Sequence, residues 1–293
     1  MSVLHVAQLT LAALLVFSLA FSERDGWGGI RVAIVDSLRR DELDAYKMAQ
    51  LVQAVEGAPV SLTLYVEERN RAYVAKLREL LGDRGLRVVH MDVEFFRRFF
   101  SDVRYDIVIL YAHSSYVSDP ERWGWRLRPG SVAIMTNEYY SRDRYVIEQL
   151  TEQLLPMVLR KGDGGIYFAF TEHFVRENFG LHGTLVVLLG CHSLYTDGMA
   201  RAFLEKGALA YLGFNGYVDT DHCDMVAHAL LSKALAGDRP LAEVLSEMAR
   251  DPYFGSNLRF HTSVDLKGLG LRSLLLDKRS WGLLYLIRLL SSS

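Results

Sequence analysis

Cysteine is nearly missing from this chain: of 293 residues only two are cysteine, Cys191 and Cys223. Two cannot make a disulfide framework, and no structural bridge is expected. Neither sign of charge dominates, because 33 Lys and Arg stand against 35 Asp and Glu, for a net charge of −2. Nothing in that balance suggests a surface built for nucleic acid, and the arginines are scattered rather than clustered. Internal repeats and low-complexity tracts are lacking. No acidic cluster has the spacing of a calcium loop, and nothing implies a cofactor. What is present is apolar content: 50% of residues are hydrophobic, ample for one large core.

The first segment reads as a targeting signal. Val3 to Ser22 carries no acidic residue, lysine or arginine, and its middle reads LAALLVFSLA, Leu11 to Ala20. Ala20-Phe21-Ser22 before Glu23 fits a small-x-small cleavage site. Residues 1–22 are therefore expected to be a signal peptide or a membrane anchor, with a buried N-terminal helix as the plain alternative. The usual basic stretch before the apolar core is missing. Both main readings place the rest of the chain outside the cytoplasm, secreted or membrane-anchored, with membrane association through this segment.

Beyond Gly26–Gly29, strand and helix patterns alternate. Ile30 to Val35 reads as a strand ending at Asp36. Asp36 and Ser37 then read as a helix N-cap, or as lining of a crevice. Asp41 to Val55 looks helical. Val60 to Val66 reads as a strand or a lead into the next helix. Asn70 is expected to cap a helix over Arg71 to Leu81. Leu86 to Met91 is a strand, and Val93 to Phe100 an aromatic-rich helix whose phenylalanines belong in a core. Tyr105 to Ala112 is another strand. This rhythm argues for a mostly parallel sheet between helices.

The chemistry concentrates at two strand ends. Leu185 to Leu189 reads as a strand buried on both faces, followed by Gly190 and Cys191. A helix from Asp197 to Lys206 and a strand from Leu209 to Gly213 complete a βαβ unit. The strand before Ala112 ends in the same way, at His113. Ligands bind at the carboxyl edge of such sheets. If the two strands are neighbours, His113 and Cys191 face each other across one crevice, as base and thiol nucleophile.

These two blocks resemble the caspase–gingipain–separase superfamily of cysteine peptidases, CHAT-type domains included. There, one hydrophobic strand ends in His-Gly and a later one in a small residue followed by Cys. The run GMARAFLEKGALAYLG, which follows Cys191, is similar to the corresponding helix and strand of CHAT-type proteins. The resemblance spans roughly Ile30 to Ala249. It implies a three-layer α-β-α sandwich with a mostly parallel central sheet, here over residues 30–250, with 251–293 packing on it as an extension. It also implies a cysteine endopeptidase acting on a peptide or protein substrate. His113 and Cys191 are then catalytic, and the backbone N–H groups of Ser114 and Cys191 form the oxyanion hole. The sequence departs from the pattern at Ser114, where the family usually has glycine, and at His192 after the cysteine.

The long gap between His113 and Cys191 implies an insertion, residues 114–183. It is expected to extend the sheet and cover the crevice. Within it, Ser131 to Met135 and Ile166 to Phe170 read as strands. Tyr145 to Leu159 reads as an amphipathic helix with Val146, Ile147, Leu150 and Leu154 on one face, kinked or ended by Pro156. Thr171 caps a helix from Glu172 to Phe179. Trp123 is a candidate substrate wall, and Glu138 and Asp197 are candidate partners for a basic substrate side chain. Asp221 is expected to cap a helix through Leu235, and a further helix runs from Leu241 to Arg250. Two alternatives keep the fold. One is a catalytically inactive binding or scaffold protein at the cell surface. The other is a zinc site from His113 and the pairs Cys191-His192 and His222-Cys223. The peptidase reading has no metal.

Overall fold

The computed structural model describes residues 29–121, 124–159, 164–248, 250–262 and 270–276. The apolar segment 1–22, Trp123 and residues 277–293 of the expected extension lie outside the described residues. Among the described residues no helix is long and apolar enough to cross a membrane.

The chain alternates as its apolar pattern demands. The first half runs β1 (Ile30–Asp36), α1 (Glu42–Gln53), β2 (Val60–Glu67), α2 (Arg71–Leu81), β3 (Leu86–Val89), α3 (Val93–Ser101) and β4 (Ile107–Tyr111). The insertion supplies β5 (Ser114–Tyr116), β6 (Val132–Tyr139), α4 (Val146–Leu150), β7 (Leu154–Val158), β8 (Ile166–Thr171) and α5 (Glu172–Asn178). Then come β9 (Thr184–Leu189), α6 (Gly198–Glu205), β10 (Ala208–Phe214) and α7 (Thr220–Ala229). A π-helical stretch (Leu230–Ala236), α8 (Leu241–Glu247), β11 (Leu258–Thr262) and α9 (Leu271–Leu276) follow.

The central sheet has the order β3-β2-β1-β4-β9-β10-β11. All neighbours are parallel except β11, which lies antiparallel on β10. The protein is thus a mixed α/β fold with a mostly parallel sheet between helices. β4 is apolar at every position, and β9 at every position after Thr184, because both faces of these strands are covered. In β4, Ile107, Ile109 and Tyr111 enter one core with α1, α2 and α7, while Val108 and Leu110 enter the other with α3, α5 and α6. In β9, Leu185, Val187 and Leu189 take the first side, and Val186 and Leu188 the second. The second core is aromatic. Phe100 stacks on Phe179 at 4.4 Å, and Phe96 meets Phe170 of the insertion at 5.3 Å. Each such side chain contributes about 1.5–3 kcal/mol on burial. The chain runs outward from β1 to β3 and then returns to β4 on the other side of β1. The strand order therefore reverses between β1 and β4, where such sheets open a crevice.

Several expectations are corrected. The insertion does not extend the central sheet. It forms its own antiparallel sheet, β5-β6-β8-β7, fastened to the main body by Met135 N–H to His113 O and Asn137 N–H to Met91 O, both 2.8 Å. The amphipathic helix over 145–159 is a five-residue α4 followed by β7. Its supposed inner face is exposed, with Ile147 at 72% and Leu150 at 79%, while Leu154 and Leu155 are buried as strand residues. Pro156, which has no N–H, fits an edge strand such as β7. Asp36 caps nothing: α1 is capped by Asp41, in a box with Asp44. Asn70 stands before α2, but its side chain donates to Leu38 O (2.6 Å) instead of capping. Asp219, not Asp221, caps α7. The described parts of the 251–293 extension belong to the body itself, β11 in the sheet and Leu271 in the first core.

Candidate active site

The two strands carrying the proposed dyad are neighbours. β4 pairs with β9 in parallel from Ile107↔Leu185 to Tyr111↔Leu189. His113 and Cys191 each lie two residues beyond the last pair, level with one another at the carboxyl edge. The intervening positions explain why the tips stay close. A Cβ on Gly190 would lie 2.3 Å from Ala112 O and 2.6 Å from Ser114 Oγ, so only glycine fits. Ser114 is buried, and its hydroxyl donates to Cys191 O at 2.6 Å. Where the resemblance expects glycine, this chain has a strut between the two tips. The strut fixes the backbone whose N–H groups the resemblance assigns to the oxyanion.

Both dyad residues are half-buried. Burial lowers the His113 pKa, and the nearby Arg39 charge lowers it further, so the imidazole is neutral and able to accept a proton. Burial pushes the Cys191 thiol up; the hydrogen bond with the Val218 backbone opposes this, and the charge of Asp251 adds to it. The thiol's hydrogen bond goes to Val218 O at 3.8 Å, not to the His113 ring. The resting arrangement is a neutral thiol beside a neutral imidazole. A nucleophile and base in these forms would act by general-base assistance during attack, not through a standing thiolate–imidazolium pair.

His113 opens into a cavity of about 520 Å³ at the strand-order reversal, lined by Ser37, Arg39, Arg69, Arg71 and Asn137 among others. The insertion supplies part of its wall through Met135, Asn137 and Tyr167, and Arg39 donates to Tyr167 Oη at 2.9 Å. Beneath it lies a buried charge network. Arg40 Nε is 3.1 Å from Asp36 Oδ2, its Nη2 is 3.1 Å from Asp224 Oδ1, and Tyr73 Oη donates to Asp36 at 2.8 Å. Burial raises the Asp36 pKa against the opposing pull of Arg40. Glu67, at the tip of β2, is also buried, and accepts from Met91 N–H (2.9 Å) and Asn137 Nδ2 (2.7 Å). A second hollow of about 470 Å³, lined by Arg31, Ser61, Thr63 and Tyr105 among others, carries neither cysteine nor histidine.

The other candidate residues fall elsewhere. Glu138 is buried and already engaged, by Arg144, by Tyr145 Oη (3.1 Å) and by Val93 N–H (3.2 Å). It anchors the insertion and is not free to meet a substrate. Asp197 is paired with Arg201 on the exposed start of α6. The two Cys–His pairs do not converge on a metal: among the described residues, the ligand-spaced group is Glu67, Glu68 and His90. There Arg69 Nη2 lies 3.4 Å from His90 Nε2, a cation where a metal would need an open lone pair.

Sequence reasoning missed the surroundings of the cysteine. His192 has a left-handed backbone (φ 56), and neither ring nitrogen has a hydrogen-bond partner. Its ring sits among Tyr116 (4.9 Å), Tyr195 (5.6 Å) and Tyr217 (4.4 Å). Tyr195 is a near neighbour in sequence, but nothing local joins Tyr116 and Tyr217 to His192. The chain matches no family model and no curated protein.

Proposed function

We propose that this protein is a thiol peptidase of the caspase–gingipain–separase type, exported from the cytoplasm, with Cys191 as nucleophile and His113 as base. The observation that carries this is the parallel pairing of β4 with β9, which brings the two residues level on adjacent strand tips. Sγ of Cys191 attacks the peptide carbonyl while His113 takes the thiol proton. The N–H groups of Cys191 and Ser114 hold the oxyanion. The C–N bond then breaks, and His113 passes its proton to the leaving amine. Water hydrolyses the thioester, releasing the carboxylate product and restoring the thiol. The cavity beside His113 suits an acidic substrate side chain, because Arg39, Arg69 and Arg71 line it. This replaces a basic substrate residue, for which Glu138 is not free.

The competing reading is the same fold without chemistry, a binding or scaffold protein. It draws on the thiol's bond to Val218 O and its raised pKa. The test compares wild type with Cys191→Ala, His113→Ala and Cys223→Ala, using peptidyl acyloxymethyl-ketone probes with acidic or basic residues before the ketone. Labelling that needs Cys191 and His113, tolerates Cys223→Ala and favours the acidic probe is the expected result. A folded wild type that no probe labels ends the peptidase reading.

A further inference from the structure

One loop holds the thiol of Cys191, and one carboxylate holds that loop. The thiol's partner, Val218, lies between β10 and α7 in residues 215–219. The segment is tied at both ends. His192 N–H donates to Gly216 O (2.7 Å), and Asn215 exchanges bonds with Asn257 (3.1 and 2.7 Å). At the far end, Asp219 N–H donates to Asp251 Oδ2 at 2.8 Å. Asp251 is fully buried, and its Oδ1 accepts from Tyr253 N–H and Phe254 N–H, both 2.7 Å. A buried carboxylate with three backbone donors is a fixed point. Nothing in the peptidase mechanism uses it.

We propose that Asp251 is a positioning residue that keeps Cys191 at rest: through the Asp219 N–H it holds the Val218 carbonyl on the thiol, and displacement of residues 215–219 frees the thiol to meet His113. The proposal rests on the peptidase reading and concerns regulation of that same site. A thiol turned onto the Val218 carbonyl is not turned to the imidazole, and a carboxylate nearby opposes the thiolate. Release exchanges the carbonyl for solvent or for the imidazole.

Two substitutions cut the tether in different ways. Asp251→Asn keeps a carbonyl oxygen for Tyr253 and Phe254 but turns an NH₂ group toward the Asp219 N–H, donor against donor. Asp219→Pro removes that N–H and leaves the Asp251 charge in place; the φ of −78° at Asp219 suits proline. Asp219→Ala keeps the tether and loses only the helix cap. Alkylation of Cys191 by iodoacetamide is followed by mass spectrometry at about pH 7.5, with folding checked by circular dichroism. Asp251→Asn and Asp219→Pro should each react at least about tenfold faster than wild type and Asp219→Ala. If only Asp251→Asn is faster, charge and not the tether governs the thiol, and the proposal fails. It also fails if either variant is folded and no faster than wild type. Iodoacetamide needs neither substrate nor His113, so a silent peptide probe alongside fast alkylation would remove the peptidase reading alone.

Discussion

Gly190→Ala is the sharpest perturbation of the site, because it adds one methyl group at the point where the two strand tips meet. The new Cβ would lie 2.3 Å from Ala112 O and 2.6 Å from Ser114 Oγ. The first contact is backbone, so no side-chain rotation relieves it. The tips must part by about 1 Å to reach an ordinary van der Waals separation. Overpacking of this kind costs about 1–3 kcal/mol. Losing the Ser114–Cys191 hydrogen bond adds about 0.5–1.5 kcal/mol. The expected destabilisation is therefore about 1.5–4.5 kcal/mol. The effect on chemistry should be larger in proportion, since a 1 Å misplacement costs about 10²-fold in rate. Urea unfolding measures the first quantity, and the second-order rate of probe labelling measures the second. Ser114→Ala separates them: it removes the strut without the clash and should cost about 1 kcal/mol. A Gly190→Ala protein that is as stable and as reactive as wild type would refute the geometry of the paired tips.

Arg40→Met should destabilise the fold by about 3–5 kcal/mol and lower Tm by roughly 6–20 °C, because it leaves the buried Asp36 without its cation. A calorimetric Tm unchanged within 2 °C, roughly the effect of 1 kcal/mol or less, would count against the network. The pKa directions at the dyad set a pH dependence. With the thiol raised and the imidazole lowered, both groups are neutral between the two values. Alkylation of Cys191 should thus climb only toward alkaline pH, with a midpoint above the ordinary thiol value of about 8.5. An acid-side plateau that His113→Gln abolishes would show a standing ion pair instead. Ile147→Lys and Leu150→Lys should change stability by no more than about 0.5 kcal/mol. If chemical denaturation shows a loss of about 2–5 kcal/mol, these residues are packed as the helical reading supposed.

What could be read from the sequence was what neighbours in sequence decide. Strands such as β4 and β9 are legible because burial on both faces leaves an unbroken apolar run. The end of α6 is legible because Gly207, at φ 96, takes a conformation that other residues resist. The helical reading of 145–159 failed for a related reason. Its apolar residues have helical spacing, but only tertiary packing decides whether that stripe is covered, and here Ile147 and Leu150 face solvent. Capping failed where a side chain had a distant alternative. Asn70 reaches Leu38 O, 32 positions away, and Asp36 is claimed by Arg40 and Tyr73.

The same division runs through the site. His113 and Cys191 were identifiable because each ends a legible strand, and parallel strands deliver their carboxyl ends to one edge. What acts on those residues arrives from far along the chain. Glu138 looked available in a polar run, yet one of its partners, Val93 N–H, is 45 positions away. Val218 reaches the thiol from 27 positions away, and Asp251 holds Asp219 from 32. No local pattern marks a carbonyl acceptor or a buried carboxylate of this kind, because their roles exist only once the sheet has formed. The proposed strand-tip dyad is therefore the readable half of this site. The unreadable half is the restraint proposed for it, and alkylation of Cys191 in the Asp251→Asn and Asp219→Pro proteins addresses that half directly.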